Sequence, residues 1–598
     1  MNTVLYSVTE RIKRRSSVKR TAYLDNLDRQ AQAGPMRGSL SCSNLAHGMA
    51  ACSQVSKERL TEELVPNIAI VTAYNDVLSA HEPYEGYPEK IRQLATDFGA
   101  VAQVAGGVPA MCDGVTQGQD SMELSLFSRD VIALSTAIAL SHNMFDSALY
   151  LGICDKIVPG LLIGALSFGH LPAVFVPAGP MRSGLPNQEK VAIREAYTVG
   201  EISKSELIAA ESASYHSAGT CTFYGTANSN QMLMEIMGLQ LPGSSFINPD
   251  DPSRELFTKY AVSRSLDITC DGDDYRPVGR IVDEAAIVNA IVGLMATGGS
   301  TNHTIHLVAI AAAAGISIDW SDFSDLSKVV PQLASIYPNG QSDINHFQAA
   351  GGIAVIISEL MRAGLLHEEV ETVAGSGLGH YAKPAEVSEE TVVWSDRRPV
   401  SSDRSVIRDV ADPFNSEGGI RLLEGNVGRA IVKVSALASE HQVVSAPARV
   451  FRSQDEFAEA FEAGDLIEDL VAVVNGQGPQ ANGMPELHKL SNYLGVMQSN
   501  GLKVALLTDG RMSGASGKIL AAIQVTPESA AGGMIGKIQD GDLITIDAKR
   551  NKLYVEADLV GREAPDKMHD VVGMGRELFT NMRSQVGSAE QGASFIIR

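Results

Sequence analysis

From about Asn67 to about Gly379 this 598-residue chain alternates short apolar runs with longer amphipathic ones, and polar residues cluster just after the short runs. Apolar runs too short for helices read as buried strands and the longer segments between them as helices, the pattern of a layered α/β domain. The spacing predicts strands over 67–72, 100–104, 148–153 and 173–176. It also predicts a helix over 121–141 that buries Leu124, Phe127, Val131, Leu134 and Ile138. In open α/β sheets the crevice lies beyond the carboxyl ends of the strands. Chemistry is therefore expected at Tyr74-Asn75-Asp76, Cys112-Asp113-Gly114 and Cys154-Asp155-Lys156, which follow three of these strands.

The chain is too long for one hydrophobic core. Between about 380 and 412 the apolar pattern lapses into Lys383-Pro384, Arg397-Arg398-Pro399 and Ser401-Ser402-Asp403, and beyond it the chain is rich in strand-like runs, a compact β barrel or sandwich in the simplest reading. The expected organisation is an N-terminal arm and helical lead-in over 1–66, a large layered α/β domain over 67–395 and a β-barrel-like domain over 396–598. The basic residues Arg11, Lys13, Arg14, Arg15, Lys19 and Arg20 have no apolar run after them, so a solvated arm is expected rather than an export signal. The longest uncharged stretch, 285–318, is broken by Thr297-Gly298-Gly299-Ser300, which fits two buried helices better than a membrane span.

A net charge of −22 argues against nucleic acid as a partner and requires any anionic ligand to find a local cationic pocket. Six cysteines are too few for a disulfide framework in a chain this long, which suggests the reducing cytoplasm. No C-x-x-C pair occurs, so a metal cluster would draw its ligands from distant loops. Cys42, Cys52 and Cys270 read as small buried hydrophobes. Cys154 differs, because Asp155 and Lys156 beside it would be costly to bury without polar partners. Cys221 sits in the small-residue loop Ala218-Gly219-Thr220-Cys221-Thr222, which has room for a bulky inorganic group. Asp113 is either a turn cap or, with Asp155, one of two hard oxygen ligands for Mg²⁺. Thiolates would then hold iron and sulfide while carboxylates hold magnesium.

In the second half, Gly476-Gln477-Gly478 opens a glycine loop that ends on Glu486, read as a helix start, and Thr508-Asp509-Gly510-Arg511-Met512-Ser513-Gly514 reads as a strand-loop-helix anion site. Neither a Walker A spacing nor a G-x-S-x-G elbow is present. Ser513 is either a phosphate ligand or a base whose alkoxide is stabilised by cationic charge, with Arg511 and Lys518 nearest in sequence.

These motifs, with Ser128-Arg129-Asp130, Gly225-Thr226-Ala227-Asn228-Ser229, Gly298-Gly299-Ser300-Thr301-Asn302 and Gly483-Met484-Pro485-Glu486, stand in an order that closely resembles the dihydroxy-acid and 6-phosphogluconate dehydratases. Ser79-Ala80-His81-Glu82-Pro83-Tyr84 and Cys221-Thr222-Phe223-Tyr224-Gly225 look like the branch that acts on 6-phosphogluconate in the Entner-Doudoroff pathway. The resemblance implies a hydro-lyase that converts 6-phospho-D-gluconate to 2-dehydro-3-deoxy-6-phospho-D-gluconate, commonly as a homodimer. It implies a [4Fe-4S] cluster on Cys154 and Cys221, Mg²⁺ near Asp113, Asp155, Glu486 and a Lys156 that is carbamylated in some readings, and Ser513 as the base. Relatives with three cluster cysteines carry one after the first strand, where this chain has none, so the third ligand is Cys112 or a non-cysteine group and [2Fe-2S] stays open. Arg182, Arg511 and Lys518 are candidates for the substrate phosphate. Competing readings are a dehydratase of an unphosphorylated dihydroxy acid or sugar acid and, in another class, an iron–sulfur redox sensor or carrier.

Overall fold

The computed structural model describes residues 1–62, 65–198, 200–388, 390–514, 517–563 and 572–597. Strands β1 (Asn67–Thr72), β2 (Val101–Gly107), β3 (Ser147–Leu151) and β4 (Ala173–Phe175) form a parallel sheet in the order β2-β1-β3-β4. Every residue of β1, β3 and β4 is buried, as continuous apolar runs between two helical layers require. The edge strand β2 is only partly covered.

The second half closes into an eight-stranded barrel built from β5 (Ile420–Gly425), β6 (Gly428–Lys433), β7 (Val443–Phe451), β8 (Leu470–Val474), β9 (Val504–Thr508), β10 (Leu520–Thr526), β11 (Leu543–Asp547) and β12 (Lys552–Val555). The order around it is β6-β10-β9-β8-β7-β11-β12-β5, with β7 to β10 parallel. The two-residue period of a strand divides β8 between two cores. Val471 and Val473 point into the barrel, whereas Leu470, Ala472 and Val474 join the large core shared with the α/β region. That shared core fixes the barrel against the sheet.

Two local expectations are corrected. Residues 3–32 form one helix, and Arg11, Arg15 and Arg20 are docking contacts, whereas Lys13, Arg14 and Lys19 are exposed as a solvated run would be. Arg11 and Arg15 pair with Asp322, and the buried Arg20 donates to the carbonyls of Ala314 (2.9 Å) and Gly279 (2.9 Å). The helix Ser125–Leu140 buries Phe127 as expected, but its buried face is turned from the rest of the predicted stripe, for Leu124 and Val131 are half-buried and Leu134 and Ile138 are 43% and 68% exposed. Its buried face carries Arg129, Asp130 and Thr136, polar residues that an apolar-stripe criterion passes over. It packs on helix Ile157–Leu166, where a Cβ at Gly160 would lie 2.5 Å from the Arg129 carbonyl oxygen, so a side chain there would force the helices apart. Asp130 accepts hydrogen bonds from Ser594 Oγ (2.8 Å) and Phe595 N (2.9 Å), and Arg129 donates to the Ala593 carbonyl (2.9 Å). The Ser128-Arg129-Asp130 motif thus fastens the last residues of the chain.

The stretch 285–318 forms helices Glu284–Thr297 and His303–Ala313, and no helix among the described residues is long and apolar enough to cross a membrane. Of the three cysteines expected to be buried, Cys42 is exposed and Cys52 and Cys270 are half-buried.

Candidate metal centre

Two strand ends of the sheet and two of the barrel converge on one site. Beyond β3 the chain passes through Cys154 in the left-handed region, at φ 81°, and enters helix Ile157–Leu166 with Lys156 as its cap residue. Such a backbone is strained at a non-glycine residue and persists only where its surroundings fix it. Asn230 does so, donating its side-chain amide to the carbonyls of Cys154 (3.0 Å) and Asp155 (2.8 Å). The amino end of that helix favours negative charge beside it. Beyond β2, Cys112 is followed by Asp113 at the start of the turn Asp113–Thr116. Loops after β8 and β9 bring Glu486 and Arg511, whose backbones pair as an isolated bridge.

Asp113, Asp155 and Glu486 each present an oxygen within 4.8 Å of the others. Two buried cations stand among them. Lys156 bonds to Asp113 and lies 3.5 Å from Asp155, while Arg511 donates to Glu486 (2.6 Å) and the Met484 carbonyl (2.8 Å) and reaches Asp113 at 3.5 Å. Ser125 Oγ donates to Asp113 (2.5 Å) and Asn302 to Glu486 (2.9 Å). With all three carboxylates ionised, one negative charge is left uncompensated. The electrostatics reflect that shortfall: burial pushes Asp155 up to about 7, with Lys156 opposing and Asp113 and Glu486 adding to the rise. Burial also raises Glu486 against the opposing charge of Arg511. In Asp113 burial acts upward, but Lys156 and Arg511 outweigh it and the net shift is down. Converging oxygens with negative charge to spare are suited to a hard divalent cation.

A second set of donors lies beside the first. Cys112 and Cys154 interact side chain to side chain, which pushes the Cys112 thiol down and the Cys154 thiol well up, with burial adding to the latter. Burial pushes Cys221 up to about 12, and it feels the charge of Cys112 and Asp155 as well. Asn228 donates to the Cys221 carbonyl (2.7 Å) and fixes that loop. Three thiols brought together from three segments are a soft donor set, the type that takes iron–sulfur clusters.

The predicted residues Asp113, Asp155, Lys156 and Glu486 are thus brought into one group, with Cys154, Cys221 and Cys112 beside it. Ser513 lies half-buried in the loop between β9 and β10; the following Ala515 and Ser516 lie outside the described residues. That loop presses close to the site, since a Cβ at Gly514 would be 2.8 Å from both Ser300 Oγ and Thr226 N. Two readings are corrected here. Ser513 is followed by strand β10 and not by a helix, and Glu486 precedes the next helix, Leu490–Ser499, instead of opening it. Among the proposed phosphate cations, Arg182 pairs with Asp250 on the surface (2.8 Å) and Lys518 is exposed, 5.9 Å over the Tyr337 ring. Arg511 is instead the counter-charge of the carboxylates. Ser125, Asn228, Asn230 and Asn302 were not anticipated: neutral residues carry no charge signal in a sequence, although the last three stand in or beside the glycine-rich motifs. Asp509 accepts from the backbone N–H groups of Gln477 (2.8 Å) and Ser529 (2.8 Å), so it ties the loops together.

Comparison with known proteins adds a second line. Residues 65–381 match the family model described as dihydroxy-acid/6-phosphogluconate dehydratase N-terminal, and residues 405–593 match its C-terminal counterpart. The chain is 56% identical to the phosphogluconate dehydratase of Escherichia coli K12 over 601 residues, covering the whole of both chains. It is 56% identical to that of Pseudomonas aeruginosa PAO1 over 597 residues, 99% of this chain and 98% of that protein. Identity to the dihydroxy-acid dehydratase of Caldanaerobacter subterraneus is 34% over 515 residues, 83% of this chain and 88% of that protein.

Proposed function

The chain belongs to the dihydroxy-acid/6-phosphogluconate dehydratase family, and from that premise we propose that it removes water from 6-phospho-D-gluconate to give 2-dehydro-3-deoxy-6-phospho-D-gluconate. The observation that carries this reading is the convergence of Asp113, Asp155 and Glu486 beside Cys112, Cys154 and Cys221 in a chain matched end to end by phosphogluconate dehydratases. Cys154 and Cys221 hold a [4Fe-4S] cluster, and Cys112 supplies the thiol that the loop after β1 lacks. Asp113, Asp155 and Glu486 hold Mg²⁺, with Lys156 as their partner in amine or carbamylated form. Bound there, these groups supply the Lewis acidity that loosens the C3 hydroxyl and spreads charge over the substrate carboxylate.

The chain's own residues do the rest. Arg511 and Asn302 hold Glu486, and Lys156 and Ser125 hold Asp113, so the carboxylates are preorganised before any ligand arrives. Ser513 takes the C2 proton. The protein works in the cytoplasm as a homodimer. The dihydroxy-acid alternative is favoured less by the lower identity of that relative. An electron carrier needs no trio of carboxylates, and membership of a dehydratase family sets that reading aside.

The test is a 2-keto acid assay on anaerobically purified protein, with 6-phosphogluconate, 2,3-dihydroxy-3-methylbutanoate and gluconate offered separately. The phosphorylated acid should be turned over far faster than the other two. Preference for either unphosphorylated acid would replace the substrate assignment.

A further inference from the structure

Lys433 is a buried lysine outside the metal centre. It ends strand β6, is 7% exposed, and among the described residues has no carboxylate within ion-pair distance. Among the described residues its one hydrogen bond runs from Nζ to the carbonyl of Gly298 (3.0 Å), the left-handed cap of helix Glu284–Thr297. A buried ammonium with two N–H donors left over is costly, and burial accordingly pushes Lys433 down to about 7, so the neutral amine is well populated at neutral pH. The titratable group that feels it is His303, which burial and the charge of Lys433 push down to about 3; His303 therefore stays neutral wherever Lys433 titrates. The wall contributed by β10, Ala521 and Ile523, is apolar.

Lys433 and Ser513 line the same small cavity, with Thr301, Met512 and Gly517. Its volume of ≈ 20 Å³ admits about one water molecule. A serine hydroxyl by itself is a poor acceptor for a proton from carbon and needs an adjacent base. The two cations nearest to Ser513 in sequence are engaged elsewhere, Arg511 by Glu486 and Lys518 at the surface. Lys433 instead faces the serine's cavity from a strand 80 residues away in sequence.

We propose that Lys433 is the proton acceptor behind Ser513, so that the two act as a serine–lysine pair in the dehydration. This rests on the reading of Ser513 as the base. As the C2–H bond breaks, its proton passes to Ser513 Oγ while the hydroxyl proton of Ser513 moves to the neutral Nζ of Lys433, directly or across one water. The electron pair left at C2 is taken up by the substrate carboxylate and then forms the C2–C3 double bond as the C3–O bond breaks. The departing hydroxide receives the proton held by Lys433 and leaves as water, which restores both residues.

The plainer alternative is that Lys433 only caps a helix carboxyl end. The two are separated with Ser513→Ala, Lys433→Met, Lys433→Arg and the double variant Ser513→Ala/Lys433→Met, all in the full metal-loaded chain and supplied with 6-phosphogluconate and its C2-deuterated form. Lys433→Met should lower kcat by about 10²–10³ with little change in KM, enlarge the C2 isotope effect, and abolish the acid limb near pH 7. The double variant should be no slower than Ser513→Ala, because residues acting as one unit are not additive. Lys433→Arg keeps the charge at Gly298 but cannot accept a proton, and should be as slow as Lys433→Met; it also decides the question if the Met variant does not fold. Near wild-type turnover and pH profile in Lys433→Arg, or losses that multiply in the double variant, overturn the proposal alone. Full turnover in Ser513→Ala, or a wild-type chain that does not dehydrate 6-phosphogluconate, overturns the underlying reading together with it.

Discussion

Asp155 should weaken the protein that it serves. Its carboxyl titrates at about 7 in the fold against an ordinary value of 3.8, because burial and two neighbouring carboxylates oppose its charge. The folded state then binds more protons than the unfolded chain between pH 3.8 and 7, so this residue's contribution to stability falls as pH rises through that window and is fully unfavourable above it. At 1.36 kcal/mol per pH unit, and allowing for a side chain not wholly shielded from water, the cost at pH 8 is about 2–4 kcal/mol. Asp155→Asn removes the charge and keeps the shape. In Mg²⁺-free buffer at pH 8 the variant should melt higher than wild type by roughly 3–6 °C for a cooperative unit the size of the α/β region, and the difference should vanish near pH 4. Saturating Mg²⁺ should raise wild type by about 3 kcal/mol at a hundredfold excess over Kd and leave the variant unmoved. Thermal melts at one fixed scan rate, compared as differences between the two proteins, cancel the other groups that titrate near neutrality. A variant less stable than wild type at pH 8 without metal, or an equal response of both to Mg²⁺, would refute this electrostatic account.

Asp130→Asn should lose charge-assisted bonds to Ser594 and Phe595 worth about 1–3 kcal/mol; limited proteolysis should then cut the C-terminal segment first, and unchanged resistance would mean that the staple is not needed. Gly514→Ala places a Cβ against Ser300 and Thr226, so turnover should fall while the bound iron content stays the same; full activity would show that the Ser513 loop need not sit so close. Cys112→Ser should lose the visible iron–sulfur absorbance as completely as Cys154→Ser, and an unaltered spectrum would exclude Cys112 as the third ligand.

The parts of the site legible in the sequence are those where charge or softness breaks an apolar pattern. Cys154-Asp155-Lys156 follows a strand too apolar to need them, and Cys112-Asp113 repeats that contrast after the neighbouring strand. The sheet and five of the barrel strands, β6, β8, β9, β11 and β12, follow from the same apolar runs, whereas β5, β7 and β10 do not stand out. Partnership was much less legible. Arg511 stands two residues from Ser513 yet serves Glu486, while Lys433 lines the Ser513 cavity from another strand, because barrel closure and not chain proximity decides who meets. The buried face of helix Ser125–Leu140 is only partly legible because Arg129 and Asp130 are buried by specific partners and Thr136 by close packing on Gly164, none of which a hydrophobic period encodes. The glycines and cations around Ser513 suggest a following helix, but strand pairing across the barrel holds Leu520–Thr526 extended. The docking of Arg11 and Arg20 is not legible in the N-terminal basic run, since their acceptors, Asp322 and two carbonyls, lie some 260–310 residues further along the chain.

The central claim is a division of labour in one site, thiols for iron and carboxylates for a hard divalent cation. Elemental analysis of anaerobically purified wild type, Cys112→Ser, Cys221→Ser, Asp155→Asn and Glu486→Gln, equilibrated with Mg²⁺ and desalted, tests it most directly. The cysteine variants should lose iron and keep magnesium, and the carboxylate variants should lose magnesium and keep iron. Wild type without iron, or variants of both kinds losing the same metal, would contradict it.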